Sequence, residues 1–156
     1  MLVCIFASQS VLALADGAGM SRGGVGGTLT SSSRNIPGQT SPALSWHDDL
    51  QSGWEASKST GRPMLIFITS ESCVYCDAMK DQTICNDRIL RRLADRFVAI
   101  RLRPKVNGRV LSRIKVPAYP TTLVAAPEGK VIAHKVGYQP VDALAQLLES
   151  ADRRGG

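Results

Sequence analysis

The sequence predicts an α/β layer structure, a central mixed β-sheet flanked by helices, and three observations carry that expectation. Met64 to Thr69 is a continuous apolar run with a helix-like segment close behind it, as expected of a strand covered on both faces. Thr121 to Ala126 and Val131 to Val136 are β-rich runs joined by Pro127-Glu128-Gly129-Lys130, the pattern of a hairpin. Val141, Leu144, Leu147 and Leu148 then give a final amphipathic helix, with Pro140 at its first turn and its end near Asp152. Helical and strand patterns interleave between these points, which argues for helices packed on a mixed sheet.

The chain of 156 residues suffices for one domain and is too short for two ordinary ones. Its 44% hydrophobic and 21% charged residues are normal for a globular protein. Met1 to Ala15 carries no charge and closes on Ala13-Leu14-Ala15, the small-x-small ending of a secretory signal peptide. The basic start of such a leader is missing, so the signal is either atypical or truncated, and a buried N-terminal strand is the competing structural use. The run is shorter than the roughly 20 residues of a membrane span. From 16 to 43 the chain is rich in Gly, Ser and Thr, has little to bury, and is expected to be a flexible linker. Its glycines lack the lysine and the preceding strand of a phosphate-binding loop. The folded domain is expected over 44–152, with 153–156 as a tail.

Within that domain Ser45 is expected to open a helix, with Asp48 assisting its cap and Trp46, Leu50, Trp54 and Ser57 sharing a face. Both tryptophans suit packing better than ligand stacking. Gly61 and Pro63 end the helix. After the strand from Met64 comes a loop, Ser70-Glu71-Ser72, then a helix from Cys73 to Asp81. Asn86 looks like the next N-cap, ahead of Ile89, Leu90 and Leu93, and Phe97 to Leu102 is a second strand. Pro104 to Gly108 is expected to end that strand, Val110 to Ile114 to form one or two helical turns, and Val116 to Pro120 to stop them.

The chemistry centres on Cys73-Val74-Tyr75-Cys76. The first sulfur of such a pair sits at a helix N-terminus, where free N–H groups and the positive end of the dipole favour a thiolate. Cys73 is then the nucleophile. Cys76, one turn on and more buried, is placed to resolve a mixed disulfide. Metal binding and a purely structural disulfide are the rival uses of the pair. The metal reading lacks ligands, since Cys85, His47 and His134 are isolated in sequence and a structural zinc site needs four. Cys85 suits a small buried hydrophobe better than a third redox thiol.

From about Trp46 to Leu148, roughly two thirds of the chain, the sequence resembles thioredoxin-fold proteins, most of all the thioredoxin-like domains of exported thiol:disulfide interchange proteins. The resemblance rests on Arg62-Pro63 before the apolar strand, the Cys73/Cys76 pair, Tyr119-Pro120-Thr121 before a later strand, the hairpin with Gly129-Lys130, and His134-Lys135-Val136-Gly137 ahead of the last helix. It implies a thiol-disulfide oxidoreductase acting on protein thiols or disulfides, recycled by a redox partner. It also implies that Pro120 is cis and faces the disulfide, and that Tyr119, Pro120 and Thr121 position the substrate backbone. No bound cofactor is needed, because the two sulfurs carry the electrons. The chain departs from thioredoxins in two places: Ser72 stands where they carry Trp, and Phe67 where they carry a buried Asp that relays protons to the resolving thiol. Proton handling is therefore assigned to water, Glu71 or Lys80.

The net charge of +6 is concentrated between Arg88 and Lys115, which hold ten Lys or Arg. No nucleic-acid motif or interleaved aromatic set accompanies them, so a solvated face is expected, with an acidic protein or an anionic membrane surface as weaker candidates. Two competing functions remain: a non-catalytic binding module that docks a partner by this basic face, and a metal-handling protein that uses the cysteine pair. With the leader as a signal the protein is exported, periplasmic or otherwise extracytoplasmic; without it, cytoplasmic.

Overall fold

The structure is a computed structural model that describes residues 43–153. The expected leader, all but the last residue of the expected linker, and 154–156 lie outside that range. A five-stranded mixed sheet of order β1-β3-β2-β4-β5 forms the centre, built from β1 (Trp46–His47), β2 (Met64–Ile68), β3 (Val98–Leu102), β4 (Thr121–Ala125) and β5 (Val131–Val136). The helices are α1 (Leu50–Thr60), α2 (Val74–Ala78), α3 (Asp87–Arg96), α4 (Pro104–Leu111) and α5 (Val141–Asp152). Strand β3 runs parallel to β1 and β2, whereas β4 is antiparallel to both β2 and β5.

Every residue of β2 is buried, so the unbroken apolar run has its physical reason in a strand paired on both edges and covered on both faces. Alternate residues feed two cores. Leu65, Phe67 and Val124 join Cys76, Met79, Ile89, Leu93, Leu144 and Leu148 on one face. Met64, Ile66, Ile68, Ile100, Leu102 and Leu123 join Leu50, Trp54 and Val110 on the other.

Two expectations are corrected. The segment at Ser45 is not helical: Trp46 and His47 pair with Ala99 and Ile100 as β1. The helix starts only after Asp49, whose carboxylate accepts from the Ser52 N–H at 2.9 Å. The two tryptophans consequently lie on opposite faces of the sheet. Trp46 packs at 6.3 Å from the Phe67 ring, while Trp54 donates its indole N–H to the Pro127 carbonyl at 2.8 Å and pins α1 to the hairpin turn. The second correction is the helix expected over Val110 to Ile114: β3 stops at Leu102 ahead of Pro104 as expected, but the helix starts at Pro104 itself and runs to Leu111 as α4, because a missing N–H costs nothing at a first turn. The helix after Cys73 also runs further than expected, continuing past α2 as a π-helical segment over Met79–Ile84. Buried Thr83 of that segment donates to the Gln139 carbonyl at 2.8 Å, tying it to the entry of α5.

Asp48, just past β1, ties three elements together. Its carboxylate accepts two hydrogen bonds from Arg101 at 2.8 and 2.9 Å, and its carbonyl accepts from Asn107 of α4. The Arg101 hydrogen bonds hold the Asp48 carboxyl below its ordinary value, the Arg101 and Arg103 charges adding to them against a smaller effect of burial.

Gly53 lies where α1 crosses β3, and a methyl group there would overlap the Ile100 side chain. Gly53→Ala is therefore expected to cost about 1–3 kcal/mol of stability, read as a lower urea midpoint with an unchanged slope. The lowered Asp48 carboxyl makes a signed prediction as well. A carboxylate whose folded pKa is depressed contributes stability above its unfolded value and loses it as pH falls through the folded one. The urea midpoint of Asp48→Asn should thus lie below that of the wild type at pH 6, and the gap should close at acid pH below the ordinary carboxylate range.

Candidate redox site

The site is built at the carboxyl end of β2. Beyond Ile68 the chain keeps one more ladder bond, the Thr69 N–H donating to the Leu102 carbonyl at 3.0 Å, then turns through Ser70-Glu71-Ser72 into α2. Ser72 has φ 53°, a left-handed conformation that costs a side-chain-bearing residue on the order of 1 kcal/mol or more. The turn delivers Cys73 to the N-cap of α2, where its Sγ accepts the backbone N–H of Cys76 at 3.2 Å. The cysteines form a disulfide with Cα atoms 5.2 Å apart. Their environments differ sharply: Cys73 is half-buried, whereas Cys76 is 0% exposed and packs in the core with Phe67 and Met79.

Pairing brings a second segment to this end of the sheet. Thr121 is opposite Ile68 in the antiparallel β2–β4 ladder, so the chain entering β4 arrives beside the loop leaving β2. The Tyr119–Pro120 peptide bond there is cis. Buried Pro120 gives its carbonyl to the Gly137 N–H at 2.7 Å, and the Thr121 hydroxyl donates to the Ala118 carbonyl at 2.7 Å. Half-buried Cys73 and Tyr119 pack against the same core cluster. Val74 and Tyr75 between the cysteines are 78% and 68% exposed, so two apolar side chains face solvent next to Cys73.

The residues expected to handle protons are engaged elsewhere. Glu71 forms an ion pair with Lys105 of α4, and Lys80 pairs with Asp77 at 2.6 Å. Phe67 is 1% exposed at the position expected for it, inside the core shared with Cys76. Cys85 is half-buried at the end of the π-helical segment, less enclosed than a core hydrophobe. Among the described residues there is no group of three or more His, Cys, Asp or Glu that could hold a metal ion.

Much of the basic stretch is spent on the fold. Arg88, Arg92 and Arg96 of α3 pair with Asp142, Glu149 and Asp152 of α5. Arg101 and Arg103 pair with Asp48. Five of the ten cations that sequence spacing places in one run are thus divided between a helix–helix contact and Asp48 beside β1.

Comparison with known proteins agrees with this architecture. The family model of the thioredoxin-like domain matches residues 50–152. The chain belongs to the thioredoxin-like domain family. Among solved structures, it is similar to a thioredoxin from Thermus thermophilus, with TM-score 0.66 and 22% identity over 72% of this chain and 90% of that one. It is also similar to a DsbH oxidoreductase, with TM-score 0.61 and 19% identity over 82% of this chain and 95% of that one. A third is the oxidised C-terminal domain of DsbD from Neisseria meningitidis, with TM-score 0.58 and 15% identity over 69% and 99% of the two chains. No curated protein matches the sequence. This thioredoxin-like domain therefore carries its cysteine pair at the start of α2, at disulfide distance, as a thiol-disulfide oxidoreductase requires. No described helix is long and apolar enough to cross a membrane.

Proposed function

We propose that the protein is a thiol-disulfide oxidoreductase acting on protein disulfides through Cys73 and Cys76. The observation that carries this reading is the asymmetry of the pair: one sulfur belongs to a half-buried cysteine that caps a helix, and the other to a cysteine sealed in the core. An N-capping sulfur that accepts a backbone N–H is stabilised as a thiolate, the form that attacks. In the reducing direction the Cys73 thiolate attacks one sulfur of a substrate disulfide, forming a mixed disulfide and releasing the other as a thiolate. Cys76 then gives up its proton and attacks Cys73 Sγ. The mixed disulfide breaks, the second substrate thiol leaves, and the two electrons passed to the substrate leave the Cys73–Cys76 disulfide behind. A redox partner restores the dithiol. Run backwards, the same steps oxidise a substrate dithiol.

In this reading Tyr119, Pro120 and Thr121 hold the substrate backbone against the sulfur of half-buried Cys73, and Val74 and Tyr75 offer it apolar contact. The proton that Cys76 gives up passes to water, Glu71 or Lys80. Met1–Ala15 acts as an export signal and 16–43 as a tether for the domain at 44–152, so substrates and recycling partner are met outside the cytoplasm. Docking through a basic face is less well supported, because six of its ten cations are held in intramolecular ion pairs.

Turnover of insulin disulfides with a thiol reductant tests the proposal. The wild type should be active and Cys73→Ser inactive, while Cys76→Ser should still attack and accumulate as a mixed disulfide that mass spectrometry detects. A wild type no faster than Cys73→Ser would contradict it.

A further inference from the structure

Two buried hydroxyls lie on the face of the sheet that carries Cys76. Phe67 and Leu65 of β2 point into the core that holds Cys76. Thr122 is the cross-strand partner of Phe67, as Val124 is of Leu65, and directly paired residues project to the same face. Thr69, two residues beyond Phe67 and still in the ladder, projects to that face as well. Both threonines stand at the end of β2 and the start of β4 where α2 begins. Thr122 is 0% and Thr69 4% exposed, and the side-chain oxygen of each has no hydrogen-bond partner among the described residues. Buried polar atoms in native proteins are nearly always paired, so two exceptions on the sheet face that carries one functional sulfur call for a reason. Thr121, between them in the ladder but facing the other way, has its hydroxyl satisfied.

We propose that the Thr122 and Thr69 hydroxyls are positioning residues for the resolving sulfur, taking up hydrogen bonds to Cys76 when the disulfide opens. The inference rests on the redox reading above. In the disulfide, Cys76 Sγ is neutral and has only weak acceptor capacity. When a thiol reductant such as glutathione reduces the bond, the S–S bond breaks, two glutathione thiols become one glutathione disulfide, and their two electrons go one to each protein sulfur; Cys73 Sγ and Cys76 Sγ each take a proton or, the proton passing to water, hold a negative charge, that of Cys76 inside the core. A hydroxyl can donate to that thiolate or accept from the thiol. Phe67, the cross-strand partner of Thr122, can do neither. Orphaned hydroxyls in the oxidised state and paired ones in the reduced state favour reduction, because a more stable reduced form makes the pair more oxidising. A hydroxyl does not titrate in the working range, so the resolving step should follow the ionisation of the thiols alone, with no carboxylate step.

The test uses the full chain and three variants: Thr122→Val, which keeps the shape and removes the hydroxyl, Thr122→Ser, which restores it, and Thr69→Val. The equilibrium with reduced and oxidised glutathione should move threefold to tenfold toward the protein disulfide in Thr122→Val, tenfold being about 30 mV for a two-electron couple. The pH midpoint of the resolving step should rise in the same variant. Thr122→Ser should return both to the wild-type values, and Thr69→Val should shift both in the Thr122→Val direction. An active wild type whose equilibrium and pH midpoint match those of both valine variants overturns the inference alone. A wild type with no exchange activity overturns the redox reading as well.

Discussion

The structure depends on one strand buried on both faces and paired on both edges. Met64 to Ile68 takes β3 on one side and β4 on the other, and its alternating side chains are the floor of both cores. Its exit sets Thr69 and the Ser70–Ser72 turn beside the entry of β4, where the Tyr119–Pro120 bond lies. No other pairing in the sheet would bring a helix-capping sulfur and that proline to one end. The first turn of α2 then does the chemical work of separating two like residues. Cys73 is held at the surface by a backbone N–H, and Cys76 is driven into the core against Phe67.

Most of this frame was legible in the residues because it follows from period and punctuation. Five consecutive apolar residues ahead of Thr69 and the Ser-Glu-Ser loop read as a covered strand, too short between Pro63 and that loop for an ordinary helix, and Gly129 between two β-rich runs sits at φ 92° in the turn, as a hairpin requires. Asn86 caps α3 as its side chain suggests. Trp46 misled because its spacing to Leu50 and Trp54 fits a helix as well as a strand followed by one. Only the Asp49 cap, competing with Ser45, decides between them. Pro104 misled because proline ends one element and begins another with the same ring. The charged stretch looked like one surface because sequence cannot show that Arg92 faces α5 while Arg101 faces Asp48.

Parts of the site were less legible for a different reason. The cysteine pair announces itself by spacing, and Tyr119-Pro120-Thr121 by the proline. Thr69 and Thr122 do not, since a threonine in a strand is an ordinary β-branched residue until burial and the missing partner make its hydroxyl conspicuous. Glu71 and Lys80 illustrate the converse: both are near the cysteines in sequence, and both are drawn into ion pairs with Lys105 and Asp77. The apolar Phe67 position then leaves neutral hydroxyls as the polar groups on this part of the sheet face.

The central claim is that one helix start makes two chemically different cysteines. The most direct measurement is the pH dependence of alkylation of the reduced protein by iodoacetamide, with the modified residue identified by mass spectrometry. The account predicts that Cys73 reacts first, with a midpoint below the roughly 8.5 of an ordinary thiol, while buried Cys76 stays protected until the fold is opened. Equal reactivity of the two sulfurs at an ordinary thiol midpoint would contradict it.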